Sequence, residues 1–121
     1  INGQLDKAAD AYQRALTLDP TNFELLWRLG DLAVARKDPI GAEQSYRRSA
    51  EIGPKEWEPH LKLGTLQYRQ GRYAEALKTF ETARELAVRE GAKAVVAGEI
   101  SSVGRSYVLT ARLISAADGA Q

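Results

Sequence analysis

Few residues of this chain carry the chemistry of catalysis, and their spacing argues against it. The one histidine is His60, with Glu56 four residues earlier, a separation that makes a local side-chain pair on a helix. A single imidazole with no cysteine in the chain is a poor metal site, so His60 is read as a structural residue between paired helices. The lack of cysteine also excludes disulfides, thiol nucleophiles and thiolate-bound zinc. No G-x-S-x-G elbow, paired histidine or glycine-rich phosphate loop occurs. No catalytic residue, metal ligand or cofactor is expected, and the chain is not expected to be an enzyme. The chemistry that remains is that of recognition. Trp27 is the kind of large amphipathic side chain that anchors partners. Arg28 beside it, and Lys62 further on, are cations that pair with carboxylates, arginine in a bidentate way. Each has a plainer alternative: Trp27 as ordinary core, the cations as a solvated face.

Whether these groups meet depends on the elements that carry them. The 121 residues are of single-domain size, and 44% apolar with 27% charged is ordinary for a soluble folded chain. The formal net charge of +1 gives no bulk field toward nucleic acid or an anionic membrane, and Lys and Arg are scattered among acids rather than striped. No apolar run is long enough to span a bilayer, and no signal peptide is visible. Cytoplasm and bacterial periplasm both suit such a chain, and its alanine- and arginine-rich wording points to a bacterial source.

The organising feature is a repeat. Pro20 and Pro54 lie 34 residues apart, as do Ala8, Ala42 and Ala76, the rings Tyr12, Tyr46 and Phe80, and the small residues Ala15, Ser49 and Ala83. Leu29-Gly30 and Leu63-Gly64 keep the interval, and Gly3 and Gly71 are two intervals apart. A glycine inside a helical pattern costs about 1 kcal/mol against alanine, so Gly30 and Gly64 imply close approach of another backbone. The alanines fit the same helix crossing, and the ring one turn later fills the wedge between hairpins. The prolines end one helix and start the next.

The 34-residue period and the order L-G … A-x-x-x-F/Y … P resemble the tetratricopeptide repeat family. The resemblance covers nearly the whole chain. It departs from the family's pattern at Leu26 and His60, where the family has Trp, at Ala33 and Gln67, where it has Tyr, and at Val88, where a third proline would stand. It implies an all-α fold: a right-handed α-solenoid of stacked antiparallel hairpins with about six helices.

Helices are expected over 5–18, 23–35, 39–52, 56–69 and 73–90. Thr21 or Asn22 caps the second, and Asp38 with Pro39 starts the third. Pro59 is tolerated in the first turn of the fourth. Without a proline at position 88 the fifth runs on toward Gly91, a natural C-cap. Residues 92–115 read as one more helix, because Ile100, Val103-Gly104 and Tyr107 reproduce the W-x-x-L-G-x-x-Y spacing at a 40-residue shift; a capping helix is the alternative. The domain plan is therefore a second helix of a truncated repeat (1–20), two repeats (21–54 and 55–91), and a first helix or cap (92–117), with a frayed tail. The chain starts at Ile1, has no methionine and opens on residues 2–4 that read as a turn, so it is expected to be part of a longer protein.

In such a solenoid the first helix of each hairpin lines the concave side. Helical spacing puts Glu24, Trp27, Arg28, Asp31 and Val34 there from one helix. The next adds Glu58, Leu61, Lys62, Thr65 and Arg69, with Tyr68 at the edge. Ser101, Ser102, Arg105 and Val108 come from the last. Some family members hold a C-terminal carboxylate with repeated Lys and Asn, and others hold extended chains with an Asn ladder. Neither constellation is reproduced here. A groove of mixed charge with one aromatic anchor fits a peptide or helix bearing apolar and acidic residues. The expected function is a protein–protein interaction module of a scaffold or adaptor, with no nucleic acid and no membrane insertion. The alternatives are self-association through an apolar flank of the first helix, and a regulatory region of a larger enzyme.

Overall fold

Side-chain caps set the helix starts. In the computed structural model, which describes residues 2–90, 100, 102 and 104–106, the Asn22 side chain accepts from Leu25 N at 3.2 Å and opens a helix at Phe23. Asp38 accepts from Gly41 N at 3.0 Å, with Pro39 at the first helical position. Each cap satisfies one of the orphan donors of a first turn. The elements are α1 (Asn2–Leu18), α2 (Phe23–Ala35), α3 (Pro39–Ile52), α4 (Glu58–Arg69) and α5 (Tyr73–Arg89). Residues Ile100, Ser102 and Gly104 to Ser106 are also helical. Gly91 and the other residues expected in the last helix lie outside the described residues.

The two hairpin turns share one geometry. Lys37 and Gly71, 34 residues apart, both take positive φ, 61° and 80°. Around each, two backbone bonds close the helix end: Lys37 N to Val34 O at 3.0 Å with Asp38 N to Ala33 O at 2.8 Å, and Gly71 N to Tyr68 O at 3.0 Å with Arg72 N to Gln67 O at 2.9 Å. This is the paired 5→2 and 6→1 pattern that satisfies the last carbonyls of a helix. Gly3 holds the same repeat position, yet the expected turn over residues 2–4 is not there: α1 begins at Asn2. The reversed turn is imposed where two helices fold back on each other, and among the described residues no helix packs ahead of α1.

The helices of each hairpin pack most extensively on each other, α2 on α3 and α4 on α5; the two hairpins then meet through α3 and α4, and α1 packs on α2. The repeated small residues mark the crossings, with Ala42, Ser49 and Ala83 fully buried and Ala76 nearly so. The glycines answer a ring rather than the backbone expected from sequence. A Cβ on Gly64 would sit 2.8 Å from Phe80 Cε1, and one on Gly30 would collide with the Tyr46 ring. Tyr46 then joins Ala42 to Leu63 and Leu66 of the following hairpin in one cluster, so the ring bridges repeats. Tyr12, the equivalent residue of α1, is only half-buried. With no proline at Val88, α5 runs to Arg89, and its Ala83 and Ala87 pack with Ile100.

Candidate functional site: the groove between α2 and α4

The first helices of the two hairpins, α2 and α4, touch directly, which is how residues some thirty positions apart come to share a surface. Lys62 Nζ of α4 lies 2.9 Å from Asp31 Oδ2 of α2 and 5.0 Å from the centroid of the Trp27 ring. The Arg28 guanidinium carbon is 4.9 Å from that same centroid, and Arg28 pairs with Glu24 at 3.1 Å. The carboxylate of Glu24 holds the Arg28 guanidinium above its usual range. Asp31 has a second partner: the Tyr46 hydroxyl donates to its Oδ1 at 2.6 Å. Burial first, and then this bond, push the Tyr46 phenol well above its ordinary pKa.

Below this polar rim lies an open pocket of about 240 Å³, between Asp31 and Val34 of α2, Tyr46 of α3, and Leu61, Lys62, Thr65, Leu66 and Arg69 of α4. It falls short of the roughly 300–1,000 Å³ of small-molecule sites, so its size suits side chains rather than a cofactor. Its floor is apolar, and its mouth carries one carboxylate and two cations. Among the described residues no cluster of His, Asp and Glu is placed to hold a metal, and no helix is long and apolar enough to cross a membrane.

The sequence-expected groove residues are not all gathered here. Asp31, Val34, Leu61, Lys62, Thr65 and Arg69 line the pocket. Trp27, Arg28 and Glu24 form the adjoining rim, and one side of Trp27 packs against the cluster of Ala42, Tyr46, Leu63 and Leu66. The Trp27 Nε1–H is buried with no acceptor among the described residues, and one oxygen of Glu58 is buried with no donor among them. Arg105 lies apart, against a separate hollow with Leu77, Phe80, Glu81 and Arg84, and Ser102 is exposed. Ser101 and Val108 lie outside the described residues. His60 is half-buried, and burial lowers its pKa. Sequence reasoning missed Tyr46 and Leu66 as pocket residues. Tyr46 was assigned to the core by its period, and the period holds, but its hydroxyl emerges at the far end of the ring.

A TPR repeat model matches residues 1–35 and a tetratricopeptide repeat model matches residues 33–97. The chain belongs to the tetratricopeptide repeat family. Solved structures of like fold include the Yersinia enterocolitica type III secretion chaperone SycD in complex with a peptide of the translocator YopD. That match has TM-score 0.76 and 23% identity, covering 94% of this chain and 84% of that one. Another is the TPR2B domain of yeast Sti1 in complex with pHsp70, with TM-score 0.79 and 17% identity, covering 90% of this chain and 86% of that one. At these identities the likeness is one of fold. The Arabidopsis thaliana protein CTR9 homolog is 46% identical over 46 residues, which is 38% of this chain and 4% of that protein. The chain thus spans a small part of the curated relative it matches. That relative is a plant protein, so it lends nothing to the bacterial source expected from composition.

Proposed function

We propose that this chain is a non-catalytic protein-interaction module that holds a peptide or helix of a partner protein in the groove between α2 and α4. The observation that carries the proposal is the pocket between the two inner helices, apolar below and charged at the mouth, which the described side chains leave open. An amphipathic segment presents both chemistries at once, apolar side chains for Val34, Leu61 and Leu66 and polar ones for the rim. SycD and Sti1, of like fold, are solved with a YopD peptide and with pHsp70, which supports the same use of the solenoid here.

The test is site-specific photocrosslinking in the source cells. A photoreactive phenylalanine at Glu24, exposed on the groove rim, is expected to trap a discrete partner. The same group at Gln44, exposed on α3, is expected to trap none. Equal labelling from both positions, or none from Glu24, rejects the groove.

Self-association is a second reading, and one observation favours it. Ala8 and Tyr12 of α1 are half-buried, whereas their repeat equivalents Ala42, Ala76, Tyr46 and Phe80 are buried. An apolar stripe left partly open is a surface for a second copy. Light scattering that finds only monomer at high concentration rejects it.

A further inference from the structure

The groove's cations are not equivalent. Arg28 is engaged by Glu24, and Lys62 by Asp31, whose other oxygen is taken by Tyr46. Arg69, at the end of α4 and exposed at the pocket wall, makes no ion pair among the described residues. It lines the pocket together with Tyr46 and Lys62, and its positive charge favours the ionised form of the Tyr46 phenol. The lining charges are therefore one satisfied acid–base pair and one arginine without an ion pair among the described residues, beside the apolar side chains of Val34, Leu61 and Leu66.

We propose, building on the groove reading above, that the partner segment carries an internal Asp or Glu side chain that pairs with Arg69, next to an apolar side chain that fills the pocket. Charge complementarity selects the acid, since a basic residue at this mouth would meet Arg69 and Lys62 with Asp31 already doubly bonded. A single guanidinium matches one side-chain carboxylate in a two-bond fork. A chain terminus would need further converging donors, and here Lys62 and Arg28 are already engaged.

The experiment is selection of random 12-residue peptides displayed with no free C-terminus, on the wild-type chain and on Arg69→Glu. Arg69 is exposed, so the variant is expected to fold, and circular dichroism and thermal melting check it. Wild type is expected to enrich peptides with Asp or Glu within a turn of Leu, Ile or Phe. Arg69→Glu is expected to bind those peptides about fivefold more weakly and to enrich Lys or Arg at the acidic position. Thr65→Phe, which fills the pocket, is expected to abolish binding by both. Peptides that lose binding to Thr65→Phe but show no acid preference, and bind Arg69→Glu unchanged, overturn this proposal and leave the groove standing. Peptides indifferent to Thr65→Phe, or no enrichment at all, overturn both.

Discussion

Asp31 and Lys62 join the inner helices of successive hairpins, carboxylate oxygen to ammonium nitrogen at 2.9 Å. Both side chains are more than a third exposed, so the pair is screened, and its worth is at most about 1 kcal/mol. Lys62→Ala is expected to lower stability by a few tenths of a kcal/mol to about 1, an effect that fades at high salt. Tyr46→Phe, which leaves the ring in place and removes the 2.6 Å bond to Asp31, is expected to cost about 1 kcal/mol. Denaturant melts of the two single variants and the double variant at low and high salt check both. Additive losses independent of salt would mean that Asp31 does not couple the two hairpins.

Gly30 and Gly64 exist to admit rings. Gly64→Ala would drive a methyl to 2.8 Å from Phe80, and overpacking of this kind costs about 1–3 kcal/mol even though alanine is the better helix former. Gly104→Ala, whose Cβ would meet Phe80 at 3.5 Å, is expected to be tolerated. Thermal denaturation of the variants should show the contrast. A Gly64→Ala protein as stable as wild type would remove the ring-packing account.

Lys37 bears the strain that Gly71 avoids. A non-glycine residue in the left-handed region costs roughly 1–2 kcal/mol, offset in part by the greater freedom glycine has when unfolded. Lys37→Gly is expected to raise stability by up to about 1 kcal/mol, and Gly71→Ala to lower it by a similar amount. Opposite shifts in denaturation midpoint are the expected result; shifts of the same sign would contradict the shared turn geometry.

His60 has its pKa lowered by burial, so the folded state binds a proton less readily than the unfolded chain. Stability contributed by neutral His60 is complete above the ordinary histidine pKa of about 6.5. It falls as pH drops from there toward the lower folded value, because over that window the unfolded state holds more protons. His60→Leu is expected to flatten this part of the stability profile. Urea midpoints from pH 8 to pH 5 measure it, and an unchanged slope in the variant would assign the effect elsewhere.

Glu43 shows the same sign for a different cause. Its bond to Arg72, 2.7 Å across α3 to the start of α5, holds its carboxyl below the usual range. The stabilisation is present above the ordinary carboxylate pKa and is lost as pH falls through the lower folded value. Arg72→Ala is expected to be less stable than wild type at pH 7 and to converge with it in acid. A gap that persists at low pH would show that Arg72 acts through packing instead.

Much of the fold was legible because each hairpin repeats one local solution. The spacing of Ala42 and Ala76, of Tyr46 and Phe80, and of Gly30 and Gly64 marks the crossings without reference to any distant contact. Asn22, Asp38 and Pro39 announce helix starts through bonds within three residues. What periodicity could not carry was anything set by the neighbour. Gly3 has the sequence of a turn but is helical, because a turn is formed by two packed helices and not by its own residues. The glycines signalled close approach but not that a ring one helix away was the visitor.

The candidate groove divides the same way. Helical spacing alone determined which residues of α2 and α4 share a face, since 3.6 residues per turn is a property of the backbone. Only the stacking of α2 on α4 decided which of those residues meet. It brought Lys62 to Asp31 and Trp27, left Arg69 without an ion pair among the described residues, and turned the Tyr46 hydroxyl toward the pocket mouth. Charges some thirty residues apart in the chain acquire an energy only when packing brings them within a few ångströms, and that distance is written in no single segment.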